Sequence, residues 1–149
     1  MMKHRVLSLL VLGALATTSY AQTEKAGSRY DPNAERSYGG VVINVISVAS
    51  ADGIVGVHLN LKTAAGSIVK VHLGPAMFIG MNNFSFLMDD LILVTGADVI
   101  HDGEAAVWAR QVSKGGKTLV LRGADGAPRW PFATADDPDG CGVSHDPVR

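Results

Sequence analysis

Ile54–Leu73 reads IVGVHLNLKTAAGSIVKVHL, and its pattern decides the fold class. Up to Thr63, Val55, Val57, Leu59 and Leu61 share one side of an extended chain, while Gly56, His58, Asn60 and Lys62 take the other. Successive side chains of a strand point to opposite faces, so this is the signature of a half-buried strand. Ala64-Ala65-Gly66 follows as a short hairpin loop, with glycine where a positive φ is needed. Ser67–Leu73 then repeats the alternation, with Val69, Val71 and Leu73 inward and Lys70 and His72 outward. If Thr63 faces Ser67 across the loop, Leu61 meets Val69, Leu59 meets Val71 and His58 meets His72. A slip of one residue would send a histidine into the core, which the apolar pattern forbids.

Outward from this hairpin the chain keeps the same rhythm. Gly40–Val48 (GVVINVISV) is a preceding strand, closed by the turn Ala51-Asp52-Gly53. Gly74-Pro75 breaks the third strand, and Ala76–Met88 (AMFIGMNNFSFLM) loses the period of two. Met77, Phe78 and Met81 there can line one side of a short helix. Leu91–Ile100 is a fourth strand opened by Asp89-Asp90, Asp102-Gly103 a hairpin turn, and Ala105–Val112 a fifth strand. Lys114–Lys117 (KGGK) is another turn, before a short sixth strand over Thr118–Arg122. Three strands, a helical connection and two or three more strands define an all-β fold with one short helix. The order is that of a five- to six-stranded OB-like Greek-key barrel. A β-sandwich shares the composition and is the rival architecture.

At 149 residues the chain has the length of one ordinary domain. A single cysteine, Cys141, excludes an intrachain disulfide framework. Lys3, His4 and Arg5 precede an apolar run (VLSLLVLGALA), and Ser19-Tyr20-Ala21 places small residues where a signal peptidase reads. Residues 1–21 are therefore expected to be a signal peptide, and the remainder periplasmic or secreted. Their removal leaves 11 basic against 14 acidic side chains, a net charge of −3. Residues 22–38 read as a flexible arm, 39–130 as the barrel domain, and 131–149 as a disordered acidic tail.

Asp90–Gly96 (DLILVTG) is similar to the G-D-x-V-x-V-T-G strand of small exported bacterial OB-fold proteins of the periplasmic stress type. Asp89 stands where that pattern carries glycine. Val71–Ala76 (VHLGPA), Leu93–Gly96 (LVTG) and Leu121-Arg122 with Asp125-Gly126 and Pro128-Arg129-Trp130 resemble blocks of small exported proteins. The same arrangement resembles a domain of magnetosome-associated proteins. The resemblance covers residues 39–130 and implies an exported OB-like barrel; it carries no catalytic residues.

The derived register makes His58 and His72 neighbours on the outward face, with facing Cβ atoms about 4.5–5.5 Å apart. Two imidazoles so placed can share copper or zinc; the plainer reading is two solvent-facing histidines. Cys141 and His145 (CGVSH) supply two metal donors where a full set needs more. Trp108, Trp130, Phe78, Phe84 and Phe86 can stack on bases or sugars, although packing explains them more cheaply. Asp89 and Asp90 point apart in an extended chain and suit a turn rather than paired acid–base work. Asp136, Asp137 and Asp139 lack the spacing and closing glutamate of a calcium loop. No nucleophile elbow, Walker loop, H-E-x-x-H or G-x-G-x-x-G motif is present. Lys62, Lys70, Arg110, Lys114, Lys117 and Arg122 are offset by acids, against the phosphate-neutralising face that nucleic acid demands. The expectation is an exported, non-enzymatic OB-fold binding or accessory module of the cell envelope. Its partner would be an envelope protein or small ligand, with no cofactor, no nucleic acid and no membrane insertion after signal cleavage. The alternative is a periplasmic copper- or zinc-binding protein using His58 and His72.

Overall fold

A computed structural model describes residues 29–50 and 53–131. The expected signal segment, the first part of the arm, Cys141, His145 and the aspartates of the tail lie outside the described residues. In chain order the elements are β1 (Glu35–Ala49), β2 (Val55–Thr63), β3 (Ile68–Pro75), α1 (Ala76–Met81), β4 (Leu91–His101), β5 (Glu104–Lys114) and β6 (Lys117–Val120). The strands form one sheet in the order β3-β2-β1-β4-β5-β6. A parallel pairing of Val71 with Val107 and His72 with Trp108 joins β3 to β5 and closes the ring. With α1 between β3 and β4, this is the OB-like arrangement that the element order implied, and not two stacked sheets.

The β2–β3 register is the one the loop length dictates: Leu61 faces Val69, Leu59 faces Val71 and His58 faces His72. Beyond His58 the ladder shifts, so that Val57 pairs with Gly74 and Leu73 becomes the extra residue of a bulge. Gly74 has φ +138°, and a Cβ there would come within 2.8 Å of the Trp130 ring. Glycine at this point lets the indole lie directly on the backbone and close one end of the barrel. The interior is filled by inward side chains of the ring, among them Val42, Leu59, Leu61, Val71, Leu73, Val94, Val107 and Val112, with Ile79, Phe86 and Trp130 as end pieces.

Several element boundaries differ from expectation. β1 begins at Glu35 rather than Gly40, and Glu35–Val41 pairs with Leu91–Ala97 of β4. The segment Glu35-Arg36-Ser37-Tyr38 has no apolar alternation because polar side chains secure it. Ser37 hydrogen-bonds Thr95 at 3.1 Å, and the Tyr38 hydroxyl donates to Asp98. Residues 35–38 are thus part of the strand ring, and Tyr30, ahead of a 3-10 turn over Pro32–Ala34, is buried. β6 ends at Val120, after which Arg122 makes an isolated bridge to Pro128. In α1 the buried residue is Ile79, whereas Met77 and Met81 are exposed.

A second bulge separates Thr95 from Gly96 on β4, where Gly96 pairs with Ala109. A Cβ on Gly96 would stand 2.2 Å from the Trp108 carbonyl oxygen. Such contact with backbone cannot be relieved by a rotamer change. Gly96→Ala is therefore expected to lower stability by about 3 kcal/mol, the upper end of ordinary overpacking costs. Urea unfolding checks it, and a loss under about 0.5 kcal/mol, the level of a neutral surface change, would contradict the close approach.

Candidate functional site

Among the described residues, the outer surface of β2, β3, β5 and β4 gathers three histidines and a tryptophan. Their position follows from the ladders. His58 and His72 are cross-strand partners, and the parallel seam sets His72 beside Trp108. The two imidazoles stack with centroids 3.8 Å apart and planes 14° from parallel. His101, last residue of β4, meets His72 edge-on at 4.7 Å and lies 6.2 Å from the Trp108 ring. Its Nε2 is 3.4 Å from an Asp102 carboxylate oxygen. At the rim Lys70 forms an ion pair with Glu104, and that hydrogen bond holds the Glu104 carboxyl below its usual range.

His72 is only 3% exposed, so the pair is not the solvent-facing one that alternation alone implied. The cause is the closure of the ring, which brings Trp108 and His101 alongside. A second buried cluster forms outside the barrel from Tyr30, Ala97, Val99, Ala106 and Trp108. Arg122 is also buried, at 2% exposure, with its guanidinium 5.8 Å from the Tyr30 ring, 5.2 Å from Trp108 and 5.0 Å from Trp130. It donates to the Gly126 carbonyl oxygen at 3.2 Å. The aromatic faces supply cation–π attraction in a desolvated position.

The stacking bears on metal chemistry. An ion bound by imidazole nitrogen lies at about 2.0–2.1 Å, close to the ring plane. Two near-parallel planes have no common point at that distance, so sharing an ion requires one ring to turn. Among the described residues no three His, Cys, Asp or Glu side chains converge as a ligand set.

The other candidates have structural duties. Asp90 accepts from the Leu87 amide and from Lys114, and these bonds hold its carboxyl below the usual range. Asp89 has φ +70°, the conformation that explains why the related strand pattern carries glycine there. Trp108, Trp130 and Phe86 are buried, while Phe78 and Phe84 pack partly buried against the core. Four of the six cations counted in the sequence are consumed. Lys70 and Lys114 hold carboxylates, Arg110 grips Glu35 through two nitrogens at 2.6 and 3.1 Å, and Arg122 is buried.

Glu35 is held below the usual carboxylate range first by its hydrogen bond from Arg110 and then by the Tyr30 hydroxyl. Stability from this pair is fully present above the ordinary glutamate value of about 4.3 and is lost as pH falls through the lower folded value. Asp90 acts in the same direction. The urea midpoint is expected to drop between about pH 5 and pH 2, and to drop less in Glu35→Gln; equal slopes would refute the contribution. At the alkaline end burial, then the bond to Asp98, pushes the Tyr38 phenol up to about 12. Its contribution is intact below about pH 10 and lost as pH climbs toward the folded value.

Sequence reasoning missed His101 and the burial of Arg122. The available signal was parity, since Ala97, Val99 and His101 share one face just before the Asp102-Gly103 turn. The profile of the MamS/MamX magnetosome protein family matches residues 34–119. No curated protein matches the sequence. The matched span opens one residue before β1 and ends one residue short of the end of β6, so the shared unit is the strand ring itself. With more than half of its length matched, the chain belongs to the MamS/MamX magnetosome protein family.

Proposed function

We propose that this chain is an exported, non-enzymatic OB-fold accessory module of the cell envelope that serves the magnetosome by presenting its barrel to a partner. The observation that carries the reading is the coincidence of the family match with the strand ring. The matched residues take in the scaffold of this chain together with its outer surface. The distribution of charge supports it. Glu35, Asp90, Asp98 and Glu104 are each engaged by Arg110, Lys114, Arg36 and Lys70, and so brace the walls instead of facing a cleft. The engaged cations and the mature charge of −3 favour a protein or small ligand over nucleic acid. Among the described residues no helix is long and apolar enough to cross a membrane.

Cross-linking of the full chain in its native host, followed by fractionation, tests the proposal. The expected result is the processed chain, lacking residues 1–21, cross-linked to a partner in the magnetosome fraction. A chain free of cross-links in every fraction overturns it.

His101 favours a second reading, since it brings a third imidazole to His72. In that reading His58 turns out of the stack and the cluster holds copper or zinc. Titration with Cu(II) or Zn(II), followed by histidine ring signals, is expected to broaden all three sets. His58→Ala and His72→Ala should each weaken binding by at least about tenfold, the value of about 1.4 kcal/mol. Unchanged ring signals in the wild type reject it and leave the barrel untouched.

A further inference from the structure

Among the described residues, β6 is the terminal strand of the sheet, with β5 on one side only. Just past the end of β6 the chain makes one isolated antiparallel bridge, Arg122 to Pro128. Arg122 turns its amide to the Arg110 carbonyl of β5, while the Gly123 amide bonds Ala127 and the Leu121 carbonyl accepts from Arg129. Residues 127–129 thus run antiparallel against the continuation of β6, on the side away from β5. Upstream, beside Lys117–Val120, lies a groove of about 420 Å³. Phe78, Asn82 and Phe84 line it together with Thr118, Val120 and Arg129. Arg129 is exposed and forms no ion pair among the described residues. Asn82 is tied down by its side-chain bond to the Phe78 carbonyl at 2.8 Å, which fixes the wall.

We propose that this groove binds an extended peptide bearing a carboxylate, which adds a strand to the β6 edge and sets the carboxylate against Arg129. Each part has a physical task. The open edge supplies main-chain hydrogen bonds, which give affinity without regard to sequence. The Phe78 and Phe84 rings offer an apolar wall to alternate side chains of the peptide. A guanidinium pairs with a carboxylate through planar, charge-assisted bonds and fixes direction and register. The inference rests on the reading of the barrel as a partner-presenting module and names the chemistry of the partner.

The test uses the full chain, labelled with ¹⁵N, and a synthetic Thr-Val-Thr-Val-Thr-Val peptide with a free C-terminal carboxylate. Saturable amide shifts are expected at residues 117–120. C-terminal amidation of the peptide, or Arg129→Gln in the protein, should weaken binding at least about tenfold, as expected for loss of a charged hydrogen bond. N-methylation of alternate peptide amides should abolish it. Because Arg129 is exposed, the variant is expected to keep the thermal midpoint of the wild type, which separates lost binding from lost folding. Absence of saturable shifts at 117–120, or equal binding of the free-acid and amidated peptides, overturns the inference. A partner cross-linked to another face, without shifts at β6, refutes this inference alone. Absence of any cross-linked partner refutes the underlying reading instead.

Discussion

Leu59→Asp is expected to yield a chain that does not fold. Leu59 is fully buried, midway along β2, and lies between Val45 of β1 and Val71 of β3. A carboxylate there has no cation within the apolar interior, and burying it unpaired costs several kcal/mol. Loss of the leucine's own packing adds about 2–5 kcal/mol. Against a typical total stability of about 5–15 kcal/mol, the sum removes the native state. Amide dispersion and far-ultraviolet circular dichroism decide the matter. Asn60→Asp, one position along and on the opposite face, is the control and should fold. A dispersed spectrum for Leu59→Asp would mean that the strand faces are wrongly assigned.

Trp130→Ala carries the second large effect. The indole is buried, rests on Gly74, meets Phe78 edge-on at 5.9 Å and supports the Arg122 guanidinium at 5.0 Å. Truncating a buried tryptophan costs about 3–5 kcal/mol, and the cation–π contact adds about 0.5–2 kcal/mol. The thermal midpoint should fall by more than about 10 °C for an ordered unit of roughly 100 residues. Trp130→Phe should retain part of the loss. A change of under about 2 °C, the effect of a neutral surface substitution, would show that Trp130 is a bystander and that the barrel end is closed otherwise.

The β2–β3 hairpin is legible because two constraints agree there. A three-residue loop and two alternating runs allow one register; of the side chains expected inward, Val57, Leu59, Leu61, Val71 and Leu73 are buried, Val69 is partly buried, and Val55 at the start of β2 is exposed. The order of elements reveals the ring for a similar reason, since few architectures place a helix after the third of six short strands. Illegible features depend on contacts that alternation does not encode. Glu35–Tyr38 joins β1 through backbone ladders and polar side chains, and hydropathy is blind to both. His72 reads as exposed because parity distinguishes inside from outside but not bare from covered. Only the seam with β5 reveals that its outer side is occupied. Arg122, counted with the surface cations, is buried because the rings of Tyr30, Trp108 and Trp130 surround it.

The seam itself has a consequence for the life of the ring. β3 and β5 are registered through two residue pairs only, whereas β4 and β5 are registered through nine. The two pieces it fastens, the β1–β2–β3 meander and the β4–β5 hairpin, are each built from neighbours in the chain. The seam is therefore the clasp of the molecule, the joint of the ring held by the fewest registered pairs. Because His72 and Trp108 form half of that clasp, an event that pries the imidazole stack apart also loosens the ring.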